Sequence, residues 1–432
     1  MDKEKLQQYL RATIRKLAIW TINKYQPGVI AITGSVGKTS TKEAIFCVLK
    51  DSRFVRATHG NFNNELGLPL TILGDYQKIT GKMFWAKVIF MAVFRLIFPA
   101  KGWSAFGGKY PEILILEYAA DKPGDIRDLL DVAKPQIGVI TAVGDVPAHV
   151  EFYSGPEAVA REKSKILEVL PSTGFAVLNA DDKYVLEMKL RTKAYVMTYG
   201  FSDESAIQIT NFENRVEGGI PVGVSFKLNY GGSFVPVKID GCFGKPQVYA
   251  AAAAAAVGFA FGMNLVKVSE ALQSYQSPAQ RTKMIPGIKD TFVIDDCYNA
   301  SPMSMRAAIE LADSMKFKRK IAVLGDMLEI GKYTIDAHIE IGKQIAGVFS
   351  SPAKRGGSAS GGDILVTVGP RSKFIAEAAS KKGMPIKNIF SFESADDAKL
   401  KVQELMKKGD LVLVKGSHAM ELEKVVEEIK IV

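Results

Sequence analysis

A chain of 432 residues with 47% hydrophobic and 24% charged residues is longer than one hydrophobic core usually supports, so its ordinary globular composition predicts two or three domains. The net charge of +10 comes from lysines and arginines scattered through the chain, which suits anionic substrates or weak attraction to an anionic membrane and argues against a nucleic-acid partner. Cys47, Cys242 and Cys297 lie far apart in apolar or strand-like contexts, the pattern of reduced thiols in a cytoplasmic protein.

Leu6, Leu10, Ile14 and Leu17 recur at helical spacing among Lys5, Arg11, Arg15 and Lys16. They predict an amphipathic helix within residues 1–26 that packs on the body of the protein, with membrane-surface contact as the lesser reading. Val29 to Thr33 then reads as a buried strand running into Gly34-Ser35-Val36-Gly37-Lys38-Thr39-Ser40, and Lys38-Thr39 open a helix through Cys47 and Leu49. Strand, glycine turn and helix in this order make a phosphate-binding loop (P-loop) for a nucleoside triphosphate. Backbone N–H groups freed by Gly34 and Gly37 surround phosphate oxygens, Lys38 neutralises them, and the Thr39 hydroxyl holds Mg²⁺ at the positive end of the helix. Ile32 stands five residues before Gly37, where the usual signature has glycine, so the loop is a variant.

Asn63 and Asn64 follow this helix in a loop, where their amides can fix a substrate or simply favour a turn. Met83 to Phe98 is strongly apolar but interrupted by Lys87 and Arg95 and ended by Pro99. It falls short of the ~20 residues a bilayer span needs and reads as a helical insertion, 83–99, that covers a core or docks peripherally on a membrane.

Short apolar runs at 113–117, 137–141, 175–178 and 195–198 predict a mostly parallel, doubly covered sheet. Alternation with glycine turns from Ile207 to Ile239 predicts an antiparallel segment that finishes the domain. The alanine-rich stretch Tyr249 to Phe261 predicts a buried helix. Pro278 and its polar neighbours mark a boundary between a central ATP-binding domain, 27–279, and a second, Rossmann-like α/β domain, 280–432. The strands of that second domain are expected at 292–294, 321–324, 365–368 and 411–414, and 350–362 is expected to be a flexible loop.

Several ordered segments resemble the Mur ligases, ATP-dependent amino-acid ligases of cell-wall precursor synthesis. They are Thr33 to Ser40, Asn61 to Pro69, Glu117 to Asp121 with Pro123-Gly124, Pro147-Ala148-His149 ahead of Lys163, and Leu178 to Asp182. In the second half they continue with Asp295 to Pro302, Gly325 to Glu329 and Val414 to Ser417. The Asp295 to Ala300 and Gly325 to Met327 segments are most similar to the branch that adds D-alanyl-D-alanine to a UDP-muramoyl tripeptide.

The resemblance implies an acyl-phosphate mechanism with ATP and two Mg²⁺ ions. It assigns nucleotide contacts to Gly34 through Ser40, Gln247, Arg281, Asp296, Tyr298 and Asn299, and substrate contacts to Asn63, Asn64, Lys415 and Ser417. Metal ligands would be Thr39, Glu117, His149 and a carbamylated Lys163, with Lys38, Lys163, His149 and Glu117 as the catalytic group. The implied partners are a UDP-muramoyl-peptide-like carboxylate and D-Ala-D-Ala or a similar amine, and a monomer is the expected state. Other readings are a folylpolyglutamate- or cyanophycin-type ligase, or an ATP-binding partner subunit without ligation of its own.

The match departs from the family in three places. About one helix precedes the first strand, so the N-terminal UDP-binding domain is expected to be missing or replaced. Gly244-Lys245-Pro246-Gln247 stands where the family commonly has His-Asn, and His418 stands where arginine usually follows Lys-Gly-Ser. A neutral imidazole does not reproduce a bidentate carboxylate clamp, so amine specificity is not inherited.

Overall fold

The computed structural model describes residues 3–60, 62–98, 109–349 and 362–431. The first sheet holds β1 (Gly28–Thr33), β2 (Val55–Ala57), β3 (Ile113–Glu117), β4 (Ile137–Ile140), β5 (Phe175–Asn179), β6 (Tyr195–Gly200), β7 (Ile207–Glu217), β8 (Ile220–Tyr230) and β9 (Ser233–Asp240). Their spatial order is β2-β3-β1-β4-β5-β6-β7-β8-β9. Pairing is parallel as far as β7 and antiparallel among β7, β8 and β9. Because β1 lies between β3 and β4, the winding reverses there, and a crevice opens at the carboxyl ends of the strands.

The helices of this half are α1 (Lys3–Tyr25), α2 (Lys38–Leu49), α3 (Gly67–Leu73), α4 (Gly81–Ile97), α5 (Asp125–Leu130), α6 (Pro156–Glu168), α7 (Lys183–Glu187) and α8 (Lys245–Ala260), followed by Leu265–Leu272. Ala250 to Ala256 of α8 are fully buried beside α2, since side chains this small let two helix backbones approach closely. α1 buries Ile14, Leu17 and Ala18 against α3 and α4. α4 buries Phe84, Val88 and Ala92, spaced four apart on one face. The insertion therefore covers the core of the first half, while its opposite face stays exposed.

The second sheet holds β10 (Lys283–Gly287), β11 (Thr291–Asp295), β12 (Lys320–Gly325), β13 (Ile364–Val368), β14 (Ile389–Phe392) and β15 (Leu411–Lys415), in the order β10-β11-β15-β12-β13-β14. All pairs are parallel except β10 with β11. The loop expected at 350–362 falls outside the described residues except for Gly362, and so does Pro99 at the end of the insertion. No helix among the described residues is long and apolar enough to cross a membrane, and Cys47, Cys242 and Cys297 are buried free thiols.

Candidate active site

The loop after β1 is shaped by two glycines and one threonine. Gly34 (φ +151°) presses so closely on β4's continuation that a Cβ there would sit 1.9 Å from Thr141 Oγ1. Thr141 Oγ1 in turn donates to the carbonyls of Val36 (2.6 Å) and Thr33 (3.2 Å), bracing the loop from the neighbouring strand. Gly37, left-handed at φ 90°, starts α2 without any side-chain cap, so the first-turn N–H groups are left to an external anion. Ser35 Oγ is buried with no hydrogen-bond partner, an orphan that a phosphate oxygen would satisfy. Lys38 Nζ folds back to the Gly34 carbonyl at 2.8 Å, and desolvation lowers its pKa, partly offset by Glu117.

Glu117 ends β3 beside this loop, 2% exposed. Its two oxygens accept from Thr39 Oγ1 at 3.2 Å and from Asn63 Nδ2 at 3.0 Å. Asn64 instead caps the start of α3, its Oδ1 accepting from the N–H groups of Leu66 and Gly67. A 310 Å³ cavity lies over the loop, with Asn63, Asn64, Glu117 and His149 on one wall and Arg281, Asp296, Tyr298 and Asn299 on the other. The second wall comes from the second half of the chain, so the cleft is assembled between the two sheets.

Arg281 reaches across this cleft. Its Nη2 lies 3.4 Å from Thr39 Oγ1, and its guanidinium stacks 3.9 Å above the Tyr298 ring. On the ring's stacking partner side, His418 is 5.9 Å from Tyr298 centroid to centroid. His418 thus packs against an aromatic ring.

Gln247 and Lys415 border the cavity, but their polar atoms are already occupied. Gln247 Nε2 donates to the Arg281 carbonyl and to Thr282 Oγ1, while its Oε1 accepts from Tyr275 OH at 2.6 Å. Lys415 Nζ donates to Asp296 Oδ2 at 2.6 Å and to the carbonyls of Asn299 and Asp296, which uses all three ammonium donors. Both residues hold the second wall in place instead of offering free groups to a ligand. Ser417 is set back from the cavity, accepting from Leu328 N–H and so tying down the Gly325 to Leu328 turn.

His149, itself left-handed at φ 64°, faces the second half of the chain. Glu329 Oε2 lies 2.6 Å from Nδ1, off the ring's hydrogen-bonding direction, and Asp121 Oδ1 lies 3.4 Å from Nε2. Burial lowers the imidazole pKa against the pull of both carboxylates, which keeps the ring neutral and able to ligate. Lys163, on α6, is 1% exposed and makes no hydrogen bond or ion pair among the described residues. Desolvation, with repulsion from Lys38, lowers its pKa to about 7. It does not line the cavity, yet Lys38, Asp121 and His149 all feel its charge. Asp121, Glu329 and Thr141 were not singled out by sequence, although the first two sit inside the segments 117–121 and 325–329.

The Mur ligase middle domain pattern matches residues 32–81 and 105–258, and the Mur ligase glutamate ligase domain pattern matches residues 280–418. A UDP-N-acetylmuramoyl-tripeptide–D-alanyl-D-alanine ligase of Bacillus subtilis is 30% identical over 428 residues, 98% of this chain and 79% of that protein. The chain belongs to the Mur ligase family. A second Mur ligase, the Mycobacterium tuberculosis protein of the same name, is 32% identical over 321 residues, 73% of this chain and 55% of its own length. Among solved structures, MurF ligase from Thermotoga maritima in complex with ADP superposes with a TM-score of 0.76 at 26% identity, covering 97% of this chain and 83% of that one. The two-sheet architecture described above is accordingly that of a Mur ligase enzyme.

Proposed function

We propose that this Mur ligase joins D-alanyl-D-alanine to a UDP-N-acetylmuramoyl tripeptide, using ATP to activate the tripeptide's carboxylate as an acyl phosphate. The observation that carries this reading is the chain of contacts Arg281–Thr39–Glu117–Asn63, which runs from the phosphate loop through the strand-end carboxylate to the substrate-side amide and is closed from the second half. The relatives from Bacillus subtilis and Mycobacterium tuberculosis, both UDP-N-acetylmuramoyl-tripeptide–D-alanyl-D-alanine ligases by name, suggest the substrate pair.

In this reading a carboxylate oxygen of the tripeptide attacks the γ-phosphorus, the bond to the β-phosphate oxygen breaks, and ADP leaves. The amine of the dipeptide then attacks the acyl carbon. The tetrahedral adduct loses a proton from nitrogen and expels phosphate, leaving an amide. Lys38 and the uncapped N–H groups at Gly37 offset charge on the transferring phosphoryl group, where positioning and electrostatics supply most of the catalysis. Arg281 would fork onto the same phosphates, its plane held by Tyr298.

The donor set fits Mg²⁺ only in combination. No group of three His, Cys, Asp or Glu side chains among the described residues could hold a metal by itself, as expected for an ion that shares its coordination with substrate phosphates and water. Thr39 and Glu117 would hold one ion, and His149 with Lys163 a second. An ammonium beside a divalent cation is repelled, whereas a carbamate on Lys163 supplies the oxygens that Mg²⁺ prefers. A pKa near 7 gives the neutral amine that must add to CO₂. Bound Mg²⁺ would neutralise charge on the phosphates and raise the electrophilicity of the γ-phosphorus.

The mechanism is tested by labelling the tripeptide carboxylate with ¹⁸O. One label should appear in the released phosphate for each amide formed. Label-free phosphate accompanying amide formation would rule out the acyl phosphate.

A further inference from the structure

We infer that α1 and α4 together form a docking face for an anionic membrane surface, on which the enzyme lies without crossing the bilayer. α1 and α4 contain nine basic residues and one acidic one, Glu4, a net of eight of the chain's ten positive charges. The basic side chains are scattered along the sequence, but their excess over acidic ones is gathered on this pair of touching helices.

The outer side of α4 is apolar. Met83, Phe90, Val93 and Ile97 are 84%, 65%, 38% and 66% exposed, and spacings of seven place Met83, Phe90 and Ile97 along one stripe. Among the described side chains of this helix the one exposed charge is Lys87, and Arg95 turns inward to the Leu73 carbonyl. α1 adds Tyr9 and Trp20, 66% and 56% exposed, on the same helix side as Lys16. Arg11 and Arg15 are neutralised by Glu65 and Asp131, whereas Lys16 and Lys87 have no carboxylate partner among the described residues. Lys24 joins the helices by donating to the carbonyls of Arg95, Leu96 and Phe98. This cancels the partial negative charge at the end of α4 without removing the net positive one.

Exposed apolar residues with aromatic neighbours and the unpaired Lys16 and Lys87 match the two attractions that hold a peripheral helix at a lipid interface. α4 has 17 residues, so at 1.5 Å per residue it is shorter than the ~30 Å hydrocarbon core. A protein partner of the same charge complementarity would need an acidic apolar groove, and a second copy of this basic face would repel itself. A bilayer satisfies both features at once.

The test is flotation of the full chain with vesicles of phosphatidylcholine alone or with added phosphatidylglycerol, at low and high salt. Binding should require phosphatidylglycerol and weaken as salt rises. Phe90→Ser/Ile97→Ser should reduce bound protein about tenfold by removing apolar insertion, and Lys16→Glu/Lys87→Glu should do so by a similar or larger factor of about tenfold. Both variants lie on exposed positions and should keep the wild-type melting temperature and ligase turnover in solution. Wild-type protein that floats no better than Phe90→Ser/Ile97→Ser overturns the inference. So does a wild-type dimer that becomes monomeric in that variant with no vesicle binding in either.

Discussion

Thr39 Oγ1 donates to Glu117 Oε2 across 3.2 Å, linking the first turn of α2 to the carboxyl end of β3. This contact crosses two neighbouring strands of the sheet, and it brings a hydroxyl and a carboxylate to the point where a P-loop holds its metal.

Glu117→Gln keeps the side-chain volume and a hydrogen-bonding carbonyl while removing the charge. Turnover should fall by ~10²–10³, the usual loss on removing one preorganised electrostatic contact. The Mg²⁺ concentration needed for half-maximal turnover should rise in the same titration. An unchanged Mg²⁺ requirement would mean that Glu117 supports Asn63 and Thr39 without touching the ion.

Gly34→Ala should abolish tight nucleotide binding, read by fluorescence titration with a labelled ADP. The added Cβ would meet Thr141 Oγ1 at 1.9 Å in a backbone region that L residues rarely adopt, a strain of about 1–3 kcal/mol that the loop relieves only by moving. Gly34→Ala combined with Thr141→Gly should recover part of the affinity, because the steric conflict is with that side chain.

Arg281→Lys should lower turnover almost as far as Arg281→Ala, since an ammonium reproduces neither the planar fork nor the stack on Tyr298. Tyr298→Phe should stay near wild type, while Tyr298→Ala should weaken nucleotide binding by about 0.5–2 kcal/mol through loss of that stack. Steady-state kinetics with varied ATP separates these cases.

Lys415→Met should destabilise the fold by about 3–5 kcal/mol in urea unfolding, because it strands the buried Asp296 carboxylate. Burial already raises the Asp296 pKa despite the lysine beside it. Lys415→Met/Asp296→Leu should recover much of the stability and none of the ligase activity.

Lys163 gives a pH signature. Its folded pKa, about 7, lies below the unfolded value near 10.5, so the unfolded chain binds the extra proton between these limits. In CO₂-free buffer with chelator, stability relative to Lys163→Met should therefore rise with pH across about 7 to 10.5, by ~1.4 kcal/mol per unit. It should be lost as pH falls through 7. With bicarbonate and Mg²⁺ present, Lys163→Ala should lose nearly all turnover and regain some on addition of short carboxylates.

The parts of this fold that were legible in the sequence are those where burial writes itself into composition. The buried strands β1, β3, β4 and β5 are continuous apolar runs, and α8 carries an unbroken alanine run from Ala250 to Ala256. Edge strands other than β9 were not legible. β10 is Lys-Met-Ile-Pro-Gly and β14 is Ile-Phe-Ser-Phe, both partly exposed; β14 pairs on one side only and β10 gains just one isolated bridge, Gly287 to Lys430, beyond β11, so neither needs an apolar run. α3 was hidden because Pro69 and Asn63-Asn64 read as a loop, whereas proline is tolerated in the first turn of a helix.

In the site, the phosphate loop, Glu117 and Arg281 were readable from motif order. The occupation of Gln247 by Tyr275 and Thr282, and of Lys415 by Asp296, was not. Those contacts join residues from 28 to 119 positions apart, and only the folded chain sets which donors remain free. Glu329 beside His149 is likewise a contact between the two halves that no local pattern encodes.

The central claim is that nucleotide hydrolysis is tied to joining a carboxylate to an amine. Coupled-assay measurement of ADP release with UDP-N-acetylmuramoyl tripeptide and D-alanyl-D-alanine, each alone and together, tests it directly. Stoichiometric ADP and amide only when both are present is the predicted result, and ADP release that ignores either substrate would contradict it.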